Sequence, residues 1–100
     1  MKIVLHRNFE KKLIKSSPKI QKAFKNRRNL FLKNPFYSLL NNHPLAGNRK
    51  GQWSINITGD WRAIYISKGG DTIVFIDIDT HSNLYKVKKL LTKKHGGGKF

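Results

Sequence analysis

The sequence predicts a single α+β domain of the order β-α-α-β-β-β, an antiparallel sheet with a helix hairpin packed on one face and a short C-terminal helix. Three observations lead there. Apolar residues recur at helical spacing between Phe9 and Phe31, and they alternate or run together at strand spacing between Trp53 and Ile78. Ser-Pro, Gly-Asp and Gly-Gly-Asp turn signals separate these segments. A chain of 100 residues has room for one modest core and no second domain.

Taken in order, Lys2 to His6 (KIVLH) is a short apolar run with β-branched residues, suited to a first strand. Asn8 is the expected cap of a helix that carries Phe9, Leu13 and Ile14 and ends near Ser16 and Ser17. Pro18 fits the first turn of a second helix capped by Ser17, with Ile20, Ala23, Phe24, Leu30 and Phe31 on its apolar stripe. Pro35 stops that helix. The stretch Asn34 to Gly51 is a long loop with a short turn at Tyr37 to Leu40, and its aromatics and leucines predict that it is ordered. Trp53 to Ile57, Trp61 to Ile66 and Thr72 to Ile78 then form an antiparallel meander, to which the first strand adds at one edge. Asn83 to Leu91 is expected to be a last helix. Residues 1–95 read as the domain and 96–100 (GGGKF) as a flexible end.

Charge is the strongest fact of the composition. Lys and Arg number 21 against 5 Asp and Glu, a formal net charge of +16, while 38% hydrophobic and 11% aromatic residues are enough to bury a core. Such a chain is expected to bind polyanions through phosphate contacts that weaken steeply with salt. The charge is uneven: the first 50 residues carry 13 Lys and Arg against Glu10 alone, and Asp60, Asp71, Asp77 and Asp79 all fall in the strand region. The basic helices therefore favour an acidic partner. No cysteine is present, so disulfides, thiolate metal sites and a cysteine nucleophile drop out together. No apolar run approaches the ~18 residues of a membrane span, and MKIVLHRNFEKK lacks a signal-peptide core. A cytoplasmic location is expected.

Candidate chemistry is narrow. His6, His43, His81 and His95 show no metal-ligand spacing, and there is no phosphate-binding Gly loop and no Gly-x-Ser-x-Gly elbow. What remains suits phosphodiester chemistry without a metal or cofactor: imidazoles for proton transfer, Arg and Lys for phosphorane charge, aromatics for stacking on bases. His43 lies before the meander, Asp60-Trp61-Arg62 at its first hairpin, and His81 with Tyr85 after its last strand. Strand alternation puts Arg62, Ile64 and Ile66 on one face and Trp61, Ala63 and Tyr65 on the other. A buried lone arginine is costly, so the Arg62 head either reaches a cleft or pairs with Asp77 or Asp60. Simpler roles stay open for the histidines: His43 satisfying a turn, His81 capping the final helix, His6 and His95 structural or in disordered chain. Arg49 and Lys50 are either RNA contacts or general basic surface, and Trp61 stands between stacking on bases and packing in the sheet.

The run HPLAGNRKG from His43, followed by WSINITGDWRAIY and IDIDTHSNLY, resembles the bacterial toxins of the RelE superfamily, and within it the YafQ-like branch. The two-helix front matches in pattern only. The resemblance implies a RelE-like microbial ribonuclease fold and a small basic mRNA endonuclease of a type II toxin-antitoxin pair. Such a protein cuts messenger RNA on the ribosome, next to 16S rRNA in the A site, and is held inactive by a cognate acidic antitoxin. It implies catalytic roles for His43, Asp60 and His81, and, by analogy with the RelE-like branch, for Arg62 and Tyr85. Where the YafQ-like branch has a further catalytic histidine on the second strand, this chain has Asn56, which cannot take up a proton at neutral pH. A non-catalytic relative that holds RNA or antitoxin without cutting is the alternative reading, and a small ribosome-associated protein without a site is a third.

Overall fold

The computed structural model describes residues 1–84. Strand β1 (Lys2–Leu5) leads into helices α1 (Arg7–Lys15) and α2 (Pro18–Lys33). A single 3-10 turn (Ser38–Leu40) then precedes the two-residue strand β2 (His43–Pro44), and a second (Gly47–Arg49) precedes β3 (Trp53–Asn56), β4 (Trp61–Lys68) and β5 (Thr72–Thr80). The five strands form one sheet in the order β1-β5-β4-β3-β2. The anticipated C-terminal helix is described only in its opening turn, residues 81–84. Tyr85, His95, the rest of that helix and the 96–100 end lie outside the described residues.

Local sequence accounts for most element ends. Ser17 caps α2 by accepting from Ile20 N at 3.3 Å, and Pro18 occupies the first helical position, where no backbone donor is needed. α1 departs from expectation: its cap is His6, whose Nδ1 accepts from Asn8 N at 3.1 Å, so Asn8 already stands inside the helix. The lone pair of a neutral imidazole does there what an Asn oxygen does elsewhere. His6 is thus structural.

The sheet is mixed, not wholly antiparallel. β3, β4 and β5 form the expected meander, but β1 pairs with β5 in parallel, Lys2 opposite Thr72 through Leu5 opposite Phe75. Parallel neighbours need a long connection, and the helix hairpin together with the first two meander strands supplies it. β2, read as loop from its Asn and Pro content, adds at the far edge with His43 opposite Ser54.

The hairpin covers one face of the sheet. Phe75 lies at the centre, with ring centroids 5.6 Å from Phe9, 5.3 Å from Phe24, 6.0 Å from Phe31 and 5.6 Å from Tyr65. Leu40, Ile55, Ile57, Ala63 and Ile78 complete this core, all fully buried. Arg27 Nε donates to Ile57 O at 3.1 Å and ties α2 to the end of β3. The long loop is ordered as anticipated: Asn42 Nδ2 donates to Pro35 O at 3.0 Å and Tyr65 OH to Asn42 Oδ1 at 2.8 Å. Trp53 and Tyr65 stack on each other at 6.3 Å, inside the sheet layer.

Phe24 is 1% exposed and sits 4.9 Å from Phe9, so Phe24→Ala is expected to cost about 3–5 kcal/mol. Ser17→Ala, which removes only the α2 cap, is expected to cost about 1 kcal/mol. Urea denaturation of the two variants checks both, and similar losses would contradict this account of the core.

Candidate functional site

The face of the sheet turned away from the helices carries the polar residues of the meander. Alternation along β4 sends Ala63 and Tyr65 into the core and Arg62 and Ile64 to the other side. A register shift between Ile64 and Tyr65 preserves this division along the longer β5. On that second face lies a cleft of about 190 Å³. Its charged and titratable lining is His43, Arg49, Arg62 and His81, with Asn41 and Ser54 as neutral polar groups and Leu45, Ile64 and Leu84 as apolar wall. Four separate segments thus converge: the loop before β3, β3 itself, β4, and the turn after β5.

The side chains of His43, Arg49 and Arg62 are each held by different partners, and His81 is placed through its backbone. The His43 ring packs Nδ1 against Asn41 O at 2.7 Å. A carbonyl oxygen only accepts, so Nδ1 carries the hydrogen and the neutral ring keeps its lone pair on Nε2. Asn41 has φ 46°, a left-handed conformation that asparagine tolerates, and this turns its carbonyl toward the histidine. Arg49 Nη1 donates to Gln52 Oε1 at 2.9 Å, and its Nη2 lies 3.5 Å from Asp77 Oδ2. Arg62 Nη1 donates to the carbonyls of Thr58, Gly59 and Trp61 at 3.1, 3.3 and 3.1 Å. Of the two outcomes open for Arg62, it is the cleft that is realised, with the turn carbonyls rather than an acid holding its head. His81 N donates to Asp60 O at 2.8 Å, tying the turn after β5 to the β3–β4 turn. The helical turn there is capped by Thr80, whose Oγ1 accepts from Asn83 N at 3.1 Å, so the cap role open for His81 falls to its neighbour.

The remaining candidates lie elsewhere. Asp60 is exposed and Trp61 half-buried, and both line a second groove with Lys15, Ser16, Ser17, Lys19, Ile20 and Thr58, beside the start of α2. Trp61 also packs against the core. Lys50 is exposed beyond the cleft rim. Asn56 stands opposite Arg62 across the strands, and its Oδ1 is buried without a hydrogen-bond partner among the described residues. Among those residues no three His, Asp or Glu side chains gather as metal ligands, and no helix is long and apolar enough to cross a membrane.

Sequence reasoning missed Asn41, Ser54 and the ionic support behind Arg49. Lys12 of α1 donates to Asp77 Oδ1 at 2.8 Å and to Asp79 Oδ2 at 3.3 Å. The alternating IDID run was a signal that both carboxylates share a face, but nothing local names a lysine on the first helix as their partner. Burial pulls the Lys12 ammonium down, yet its bonds to Asp77 and Asp79 outweigh this and leave its pKa above the ordinary lysine value. Burial raises Asp79 in turn, but the Asn83 amide, the Thr80 N–H and Lys12 outweigh it and hold the carboxyl below the usual range. Burial also pushes the Tyr65 phenol up, partly offset by its bond to Asn42.

This backbone is shared with small bacterial toxins. The YoeB/ParE toxin from Agrobacterium tumefaciens superposes with a TM-score of 0.67 at 24% identity, over 81% of this chain and 99% of that one. YafQ from E. coli strain BL21(DE3) superposes with a TM-score of 0.68 at 25% identity, over 83% and 96%. The E. coli DinJ–YafQ complex matches at 0.65 and 25%, over the same shares. Among curated proteins none matches the chain. The family model described as the bacterial toxin of type II toxin-antitoxin system, YafQ, matches residues 1–86, and the chain belongs to that family.

The low Asp79 pKa fixes a pH dependence. Because the folded carboxyl is more acidic than the unfolded one, its contribution to stability is present above the unfolded value of about 4 and is lost as pH falls through the folded value. Urea midpoints followed from pH 7 into this acid range should fall less steeply for Asp79→Asn than for the wild type. Parallel curves would contradict the assignment.

Proposed function

We propose that this chain is the toxin of a type II pair and acts as an endoribonuclease on messenger RNA, working on the ribosome and neutralised by an acidic antitoxin. The convergence of His43, Arg49, Arg62 and His81 on one cleft carries the reading. In the proposed reaction His43 Nε2 takes the proton of a ribose 2′-hydroxyl, which attacks the adjacent phosphorus. The bond from phosphorus to the 5′-oxygen breaks, and the protonated form of His81 gives that oxygen a proton. The products are a 2′,3′-cyclic phosphate and a 5′-hydroxyl. Arg62, held in advance by three carbonyls, and Arg49 meet the extra negative charge of the phosphorane. Asp60 serves through its main-chain carbonyl, which sets the His81 turn. Tyr85 follows Leu84, a wall residue, and is assigned to stacking on a base or to proton donation.

Lys and Arg of the helices, Lys50 and Trp61 would contact RNA, including 16S rRNA in the A site. The acid-free run between Glu10 and Asp60 is the natural surface for an acidic antitoxin. The E. coli relative in its complex with DinJ supports a partner chain. A cytoplasmic location follows from these partners. The second reading, a relative that binds without cutting, rests on the resemblance, which puts Asn56 where the YafQ-like branch has a catalytic histidine, and an asparagine takes up no proton there.

Induced expression in bacteria, with primer extension on a translated message, separates the two. Wild type is expected to arrest growth and leave cuts within codons, and His43→Ala, His81→Ala and Arg62→Ala should each lower cleavage by roughly 10²–10³-fold. Salt-sensitive RNA binding with neither arrest nor cuts would establish the non-catalytic reading. Loss of cleavage by the pure protein on metal chelation would contradict the metal-free route.

A further inference from the structure

The chain holds five acids, and two of them, Asp77 and Asp79, meet at one lysine far from the cleft in sequence. Each carboxylate divides its oxygens. Asp77 gives Oδ1 to Lys12 and turns Oδ2 toward Arg49, 3.5 Å from Nη2. Asp79 gives Oδ2 to Lys12 and Oδ1 to Asn83 Nδ2 at 2.9 Å and Thr80 N at 2.8 Å. Asp77 thereby reaches one wall of the cleft, and Asp79 holds the turn that carries His81, the other wall. Two carboxylates two residues apart on one strand face repel, and Lys12 is the cation between them. Its own position is set by the core, because Phe9, one helical turn before it, is fully buried.

We infer that Lys12, with Asp77 and Asp79, is a positioning device that fixes Arg49 and the His81 turn relative to one another. Partly exposed ion pairs contribute little to stability. What this one supplies is geometry: a single ammonium anchored on α1 constrains two segments whose side chains must meet one phosphate. Misplacement of reacting groups by about 1 Å is enough to cost up to about 100-fold in rate.

The kinetic consequence rests on the endonuclease reading, and the structural one does not. The test compares the full-length wild type with Lys12→Met, the conservative Lys12→Arg, and Lys68→Met, which removes the same charge from an exposed lysine at the end of β4, off the helices and outside the cleft. Lys12→Met is expected to lower kcat for RNA cleavage by about 10- to 100-fold, with partial rescue in Lys12→Arg and near wild-type cleavage in Lys68→Met. Side-chain NMR reads the geometry without activity. Lys12→Met should shift both the Arg49 Nε–H and the Asn83 amide signals, Asp77→Asn only the first, and Asp79→Asn only the second. If Lys12→Met fails to fold, the two aspartate variants decide by that separation. With a cleaving wild type, equal cleavage by the Lys68→Met and Lys12→Met variants would overturn the inference, as would unmoved Arg49 and Asn83 signals. A wild type that does not cleave removes the endonuclease reading and leaves the NMR outcome to decide the positioning role.

Discussion

The packing of three helix phenylalanines onto Phe75 is the constraint on which the rest of the molecule depends. β5 is the one strand with both a parallel and an antiparallel neighbour, β1 and β4, and Phe75 is its fully buried centre. Phe9 brings α1, Phe24 and Phe31 bring α2, and Tyr65 brings β4 to the same ring. Because the apolar side of the sheet is thereby fixed, period-two alternation, reset once by the register shift between Ile64 and Tyr65, decides which residues face the other side. Arg62 faces the cleft because Ala63 and Tyr65 cannot. Lys12 reaches the edge of β5 because Phe9 has anchored its helix there.

The architecture was legible where a signal is local. Ser17-Pro18 marks a helix start, Thr58-Gly59-Asp60 and Gly69-Gly70-Asp71 mark strand turns, and the structure has its elements there. The direction of β1 was not legible, since parallel and antiparallel edge strands share one hydrophobic pattern and only the completed crossover distinguishes them. The α1 cap escaped for another reason: Asn8 is the better capping type in general, but the helix starts two residues earlier and an imidazole serves. At the site, His43, Arg49, Arg62 and His81 were nameable and do meet. Trp61 adjoins Arg62 yet lines a different groove, because successive strand residues point to opposite faces, and Asp60, in the turn before β4, lines that groove with it. The Lys12–Asp77 contact spans a sequence separation of 65, and no pattern within a helix or a strand encodes such a pair.

Charge divides the labour of the surface. The basic helices present a nearly unrelieved cationic face, whereas the few acids stand where they organise other groups: Asp71 at the amino terminus, Asp77 and Asp79 behind the cleft. An acid beside Arg49 tempers that cation without displacing it, since Gln52 holds the other side of the guanidinium. Arg62, by contrast, has its head on the neutral carbonyls of the β3–β4 turn rather than on an acid.

The parallel pairing of β1 with β5 also sets an order in time. Residues 2–5 leave the ribosome well before their partners, residues 72–75, which follow about 70 positions later. Until then Phe9, Phe24 and Phe31 have no Phe75 to cover, and the cleft lacks both the strand that carries Asp77 and the turn that carries His81. A chain without β5 therefore lacks both the ring on which its helices pack and two walls of its cleft, because β5 lies between β1 and β4 and joins the two ends of the described fold.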